Sequence, residues 1–199
     1  MVVSTKNTIK YIMGCVIYNK KFNDKYRIES TRHPNWNYSS NGIYFITICT
    51  LNKNHFFGKI IKNKVLLSEK GKIATNHWKE IVKYYPQVIL EDFVIMPNHV
   101  HGLIRIKNVE TTNLGVSNIN KVELNNKNSI GLEKWKSSLM AKIINQFKRT
   151  TTIEMKNKNL FFGWQSRFFD EIIKNEKHYW AIKKYIQDNP KNWEKDDCF

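Results

Sequence analysis

The sequence predicts an α+β protein in which an antiparallel sheet carries helices on one face. Three observations lead there. In IYFITICT (43–50), Tyr44, Ile46 and Ile48 alternate with Phe45, Thr47 and Cys49, β-branched and aromatic types that suit a half-buried strand. Residues 88–96 and 99–106 are two extended runs joined by Met96-Pro97-Asn98, which reads as a hairpin and therefore as antiparallel pairing. Helical apolar spacing falls between these strand patterns rather than after them.

Each element follows in turn. Residues 1–25 have no clear period and end in a basic, polar stretch, so they are expected to form an N-terminal extension outside the core. Asn41-Gly42 is a turn signal before the first strand. KVLL (64–67) is a short strand, and Ser68 can cap a helix whose Ile73, Trp78, Ile81 and Tyr85 recur at helical spacing until Pro86 stops it. After the hairpin, residues from about 107 to 132 are rich in Asn, Lys and Thr and read as a solvated insertion. Trp135, Leu139, Ile143 and Phe147 then predict an amphipathic helix ending at Lys148-Arg149 and a Thr run. FFGWQSRFFDEII (161–173) reads as a strand. Asn175 can cap a last helix, Glu176 to Asp188, before the stop signal Asn189-Pro190. The expected domain is 26–193, followed by a short tail, 194–199.

Composition narrows the function. A chain of 199 residues with 41% hydrophobic and 13% aromatic residues can bury a core, despite a mean hydropathy of -0.53. Its charge is lopsided: Lys+Arg 33 against Asp+Glu 17 gives +16 and a pI near 9.7. That excess attracts phosphate polymers, so nucleic acid is the first partner expected and an anionic membrane surface the second. No apolar run approaches the ~20 residues that span a bilayer. Cys15, Cys49 and Cys198 form no CxxC pair, which argues against a disulfide framework or a thiolate zinc site and fits the cytoplasm. Residues 11–18 (YIMGCVIY) imitate a signal peptide but lack a small-residue cleavage site, so secretion is not expected.

Two constellations can carry chemistry. In His99-Val100-His101 the two imidazoles are two apart on a strand and so share a face, with Leu103 and Arg105, while Val100, Ile104 and Ile106 form the opposite, apolar one. Such a pair can hold a metal, although two sheet histidines are more often structural. On the last helix Tyr185 and Asn189 are one turn apart. Tyr185 offers a nucleophilic oxygen and Asn189 a ligand oxygen, yet both also fit ordinary packing and a helix stop. Tyr179 is the rival nucleophile.

The segments YSSNGIYFIT (38–47), MPNHVHG (96–102) and Trp164-Gln165 through Tyr185-Ile186-Gln187-Asp188-Asn189-Pro190 resemble the REP-associated tyrosine transposases, relatives of the single-tyrosine HUH transposases of small insertion sequences. The resemblance runs from about Arg27 to Trp193. It implies a ferredoxin-like HUH fold with the histidine pair on a central strand and the tyrosine on a helix beside it. Carried over by position, His99 and His101 become metal ligands, Asn189 a third ligand in place of the Gln of some relatives, and Tyr185 the nucleophile. Likeness to the family favours Mg or Mn over the zinc or nickel that imidazoles alone would suit. The implied reaction is metal-dependent nicking and rejoining of single-stranded DNA beside a hairpin, through a 5′-phosphotyrosine link. Candidate DNA contacts are Arg167 with Trp164, and Lys148 with Arg149. The chain is expected to act alone or as a homodimer. Two rival readings are a hairpin-DNA-binding protein whose catalysis has lapsed and a phosphodiesterase that uses metal-activated water.

Overall fold

The structure, a computed structural model, describes residues 41–107, 138–196 and 198. The N-terminal extension, Cys15, the segment 38–40 and Trp135 lie outside the described residues, as does the insertion beyond residue 107. Six strands and three α-helices are present among those described: β1 (Gly42–Cys49), β2 (Gly58–Ile61), β3 (Lys64–Leu67), α1 (Glu69–Tyr84), β4 (Val88–Ile95), β5 (His99–Ile106), α2 (Leu139–Asn157), β6 (Phe169–Ile172) and α3 (Glu176–Asp188). A 3-10 segment, Asn189–Lys195, continues directly from α3.

The main sheet has the order β4-β5-β1-β6, every neighbouring pair antiparallel. With α1 between β1 and β4 and α2 between β5 and β6, this is the β-α-β-β-α-β ferredoxin-like arrangement, and β5 with its two histidines is central. Period 2 in β1 and β5 sorts their side chains onto two faces. Tyr44, Ile46, Ile48, Val100, Ile104 and Ile106 pack against Ile73, Trp78 and Ile81 of α1 and Ile143 and Phe147 of α2. Phe45 and Leu103 point the other way, against Ile182 and Ile186 of α3. Helices therefore cover both faces rather than the one expected, because the histidine-bearing face also has an apolar end that needs cover.

Local signals explain most boundaries. Ser68 accepts a hydrogen bond from Gly71 N at 3.1 Å and Asn175 Oδ1 accepts one from His178 N at 2.8 Å, so both expected caps start their helices. β2 was not expected. It pairs with β3 through a tight turn in which Lys62 and Asn63 take left-handed φ of 49° and 61°. In β4 a bulge between Leu90 and Phe93 interrupts the alternation. It frees Glu91 to hold Arg105 Nε at 2.5 Å and Asp92 to hold Lys183 Nζ and Gln187 Nε2, each at 3.0 Å, which ties α3 to the sheet.

Two expected elements are corrected. The helix α2 does not end at Lys148-Arg149: it runs through the Thr run to Asn157, with Thr150 and Thr152 hydroxyls donating back to Gln146 O and Lys148 O. Of the strand expected over 161–173 only Phe169–Ile172 forms; upstream, Trp164 makes one isolated bridge to Thr50, and Arg167 takes a left-handed φ of 67° that breaks the extended run.

Candidate active site

The site is assembled where the α3 face of β5 meets the end of α3. Pairing of β1 with β5 sets Thr47 opposite His101 and Cys49 opposite His99. Thr47 Oγ1 lies 2.9 Å from His101 Nδ1 across that pair. His99 is fully buried, and its Nδ1 lies 2.8 Å from Asn98 Oδ1. Asn98 uses its amide nitrogen on Cys198 O at 2.5 Å, so its oxygen must be the acceptor and His99 Nδ1 the donor. Burial, with His101 close by, holds the His99 imidazole well below its usual pKa. The neutral ring thus carries its lone pair on Nε2, and that atom has no hydrogen-bond partner.

The predicted tyrosine reaches this pair within one chain. Tyr185 Oη is 3.2 Å from His101 Nε2, and the two rings meet edge-on at 5.2 Å between centroids. Tyr179 is six residues back on α3 and faces elsewhere. Its hydrogen bond with Glu91, followed by burial, pushes its phenol pKa up.

Pro190 has no N–H to continue the α-helix, and the chain tightens into the 3-10 segment, returning Trp193 and Asp196 to the histidines. The Trp193 indole stacks on His99 at 5.9 Å and 25°. Asp196 Oδ2 is the meeting point of the site. It accepts from Tyr185 Oη at 3.1 Å and from Asn189 Nδ2 at 2.6 Å, and lies 3.7 Å from His101 Nε2 and 4.0 Å from His99 Nε2. Burial raises the Asp196 pKa, but the nearby His101 imidazole and the hydrogen bond from the Asn189 amide outweigh it, so the carboxyl sits well below its usual range. Its other oxygen accepts from Cys198 N at 2.7 Å.

A divalent cation fits this donor set. Two buried atoms that can act as ligands, His99 Nε2 and Asn189 Oδ1, have no hydrogen-bond partner, a state that normally costs about 1–3 kcal/mol per group and calls for an ion or water. His99, Asp196 and Cys198 also place one ligand atom each within 4.8 Å of one another. Sequence reading missed Asp196 and Cys198 because both follow a stop signal, in a short tail with no period. The one available sign was Cys49, in phase with Thr47 on β1; its Sγ is 3.8 Å from that of Cys198.

The four expected DNA contacts lie elsewhere. Lys148 sits mid-helix and donates its ammonium to Gln165 O at 2.9 Å and Arg167 O at 2.5 Å. Trp164 packs among Phe57, Phe147 and Phe162, and its Nε1 donates to Lys148 O at 3.2 Å. Arg149 and Arg167 are exposed. Lys148 and Trp164 thereby fix the loop that carries Arg167.

The sheet and its helices have the fold of a REP-associated tyrosine transposase. One such protein, solved bound to a REP hairpin, superposes with a TM-score of 0.54 at 15% identity, covering 84% of this chain and 74% of its own, and the chain shares its fold. No protein-family model matches the chain. An uncharacterised protein of Haemophilus influenzae is 38% identical over 171 residues, 85% of this chain and 92% of that protein, and the chain belongs to the same family as that protein.

Proposed function

We propose that the protein is a metal-dependent nuclease and strand transferase acting on single-stranded DNA beside a hairpin, with Tyr185 as the nucleophile. The observation that carries the reading is the convergence of Tyr185 Oη, His101 Nε2, His99 Nε2 and the Asn189 amide nitrogen around one carboxylate oxygen. The solved transposase of the same fold holds a REP hairpin, and the net charge of +16 suits a DNA partner in the cytoplasm. Arg149 and Arg167 are the exposed cations assigned to its phosphates.

A free phenol titrates near ~10 and is a poor nucleophile at neutral pH. Held by His99, His101 and Asn189, magnesium or manganese would supply Lewis-acid stabilisation of the scissile phosphate. The protein's own residues supply the rest. Asp196 accepts from the Tyr185 hydroxyl and fixes its direction, leaving His101 Nε2 to the metal. Tyr185 Oη bonds to phosphorus and releases its proton to water, and the 3′ oxygen of the preceding nucleotide leaves and takes a proton from water. The product is a 5′-phosphotyrosine. Attack by another 3′-OH reverses these steps and joins strands without an external energy source. Thr47 and Asn98 keep the imidazoles oriented throughout.

The test is a labelled hairpin oligonucleotide with a single-stranded flank, incubated with manganese and run on a denaturing gel. Wild type and Tyr179→Phe form a covalent adduct, and Tyr185→Phe forms none. Cleavage that survives in Tyr185→Phe without an adduct assigns the attack to water; an adduct lost only in Tyr179→Phe moves the nucleophile.

A further inference from the structure

Beside the Trp193 indole lies a cavity of about 380 Å³. Its walls come from the neighbourhood of the β2–β3 hairpin, from Pro97 and from the 3-10 segment, and they include His55, Lys59, Lys191, Trp193 and Lys195. Two aromatic rings meet there, His55 and Trp193, edge to face at 5.5 Å and 66°. The lysines stand on the exposed rim, and Glu194 is the single acid in the lining.

We propose that this cavity binds one nucleotide unit of a single DNA strand, the base against the exposed His55 ring with the buried Trp193 as the floor, and the phosphates against Lys59 and Lys195, Lys191 being paired with Asp188 at 3.2 Å. The inference rests on the strand-cleaving reading above and names the neighbour of the bond that is cut. Trp193 is the link: it lines the cavity and also stacks on His99, so the cavity lies one ring away from the histidine pair. Aromatic surface with a cationic rim is the chemistry of single-strand sites, where every base offers a face to stack and the lysines follow the backbone. A bare anion would not need the rings. A duplex cannot use the cavity, because its bases are already stacked on one another. A volume of this size lies at the small end of ligand pockets and suits one unstacked nucleotide rather than a paired stem.

The test uses the full chain in a buffer with chelator, so that nothing is cut. Fluorescence anisotropy measures affinity for a labelled oligothymidylate of about twelve nucleotides and for a blunt duplex of similar length. His55→Ala and Lys59→Ala, both at exposed positions, lower single-strand affinity about tenfold and duplex affinity no more than about twofold. Equal loss on both probes, or no loss on either, overturns the proposal. So does displacement by thymidine monophosphate at the same nucleotide concentration, which would make the cavity a site for free nucleotides. A protein that forms no tyrosine adduct yet loses single-strand affinity in His55→Ala sinks the nucleophile alone, and one that forms the adduct but is indifferent to His55→Ala and Lys59→Ala sinks the cavity alone.

Discussion

Asn98 shows how much a single side chain can decide. It accepts from His99 Nδ1 and donates to Cys198 O, so one amide fixes both the histidine tautomer and the position of the returning tail. Outer partners of this kind are worth about 10–100-fold in metal affinity. Asn98→Ala is therefore expected to weaken manganese binding by about that factor, read by calorimetric titration. An unchanged affinity would mean that Asn98 does not orient a ligand. The histidine pair and Tyr185 were legible as residues because strand period and helical spacing put each on a definite face. Asp196 was not legible: an acid in a tail after Asn-Pro gains its place only from a 3-10 turn, and no local pattern announces where such a turn leads.

At the scale of elements, the histidine strand is held by close approach. A Cβ on Gly102 would run into the Trp78 indole of α1, a rigid ring in a packed core, so β5 and α1 can meet only over a glycine. Gly102→Ala is expected to cost about 1–3 kcal/mol, seen as a lower urea midpoint with an unchanged slope. The loop carrying Arg167 is held differently, by Lys148. Burial pushes that ammonium from the usual 10.5 down to about 8. The unfolded chain therefore binds more protons between those values, and stability from this group rises as pH climbs through the window. Lys148→Met removes that rise, which denaturant unfolding across the pH range measures. Long amphipathic helices and the β4–β5 hairpin were readable from sequence, as were both helix caps. The misread strand over 161–173 fails for a reason hydropathy does not record: its apolar residues pack as a loop against α2, and the left-handed Arg167 ends any ladder.

At the scale of the molecule, one sheet serves two purposes. Its α1 and α2 face holds the larger core, while its α3 face gives up apolar packing at one end to the polar cluster. The same alternation in β1 and β5 builds both, which is why the architecture could be anticipated while helices on both faces could not: the sequence distinguishes two strand faces but does not say which helix covers which. Among the described residues no helix is long and apolar enough to cross a membrane. The basic charge of the whole chain and the histidine cluster point to the same phosphate chemistry, one through long-range attraction and the other through contact. The most direct measurement is peptide mapping by mass spectrometry after reaction with a hairpin oligonucleotide. With manganese, a 5′-linked nucleotide is expected on the peptide containing Tyr185, and with chelator no modified peptide. A nucleotide on any other residue, or equal modification of Tyr185 in chelator, would contradict the metal-dependent tyrosine mechanism.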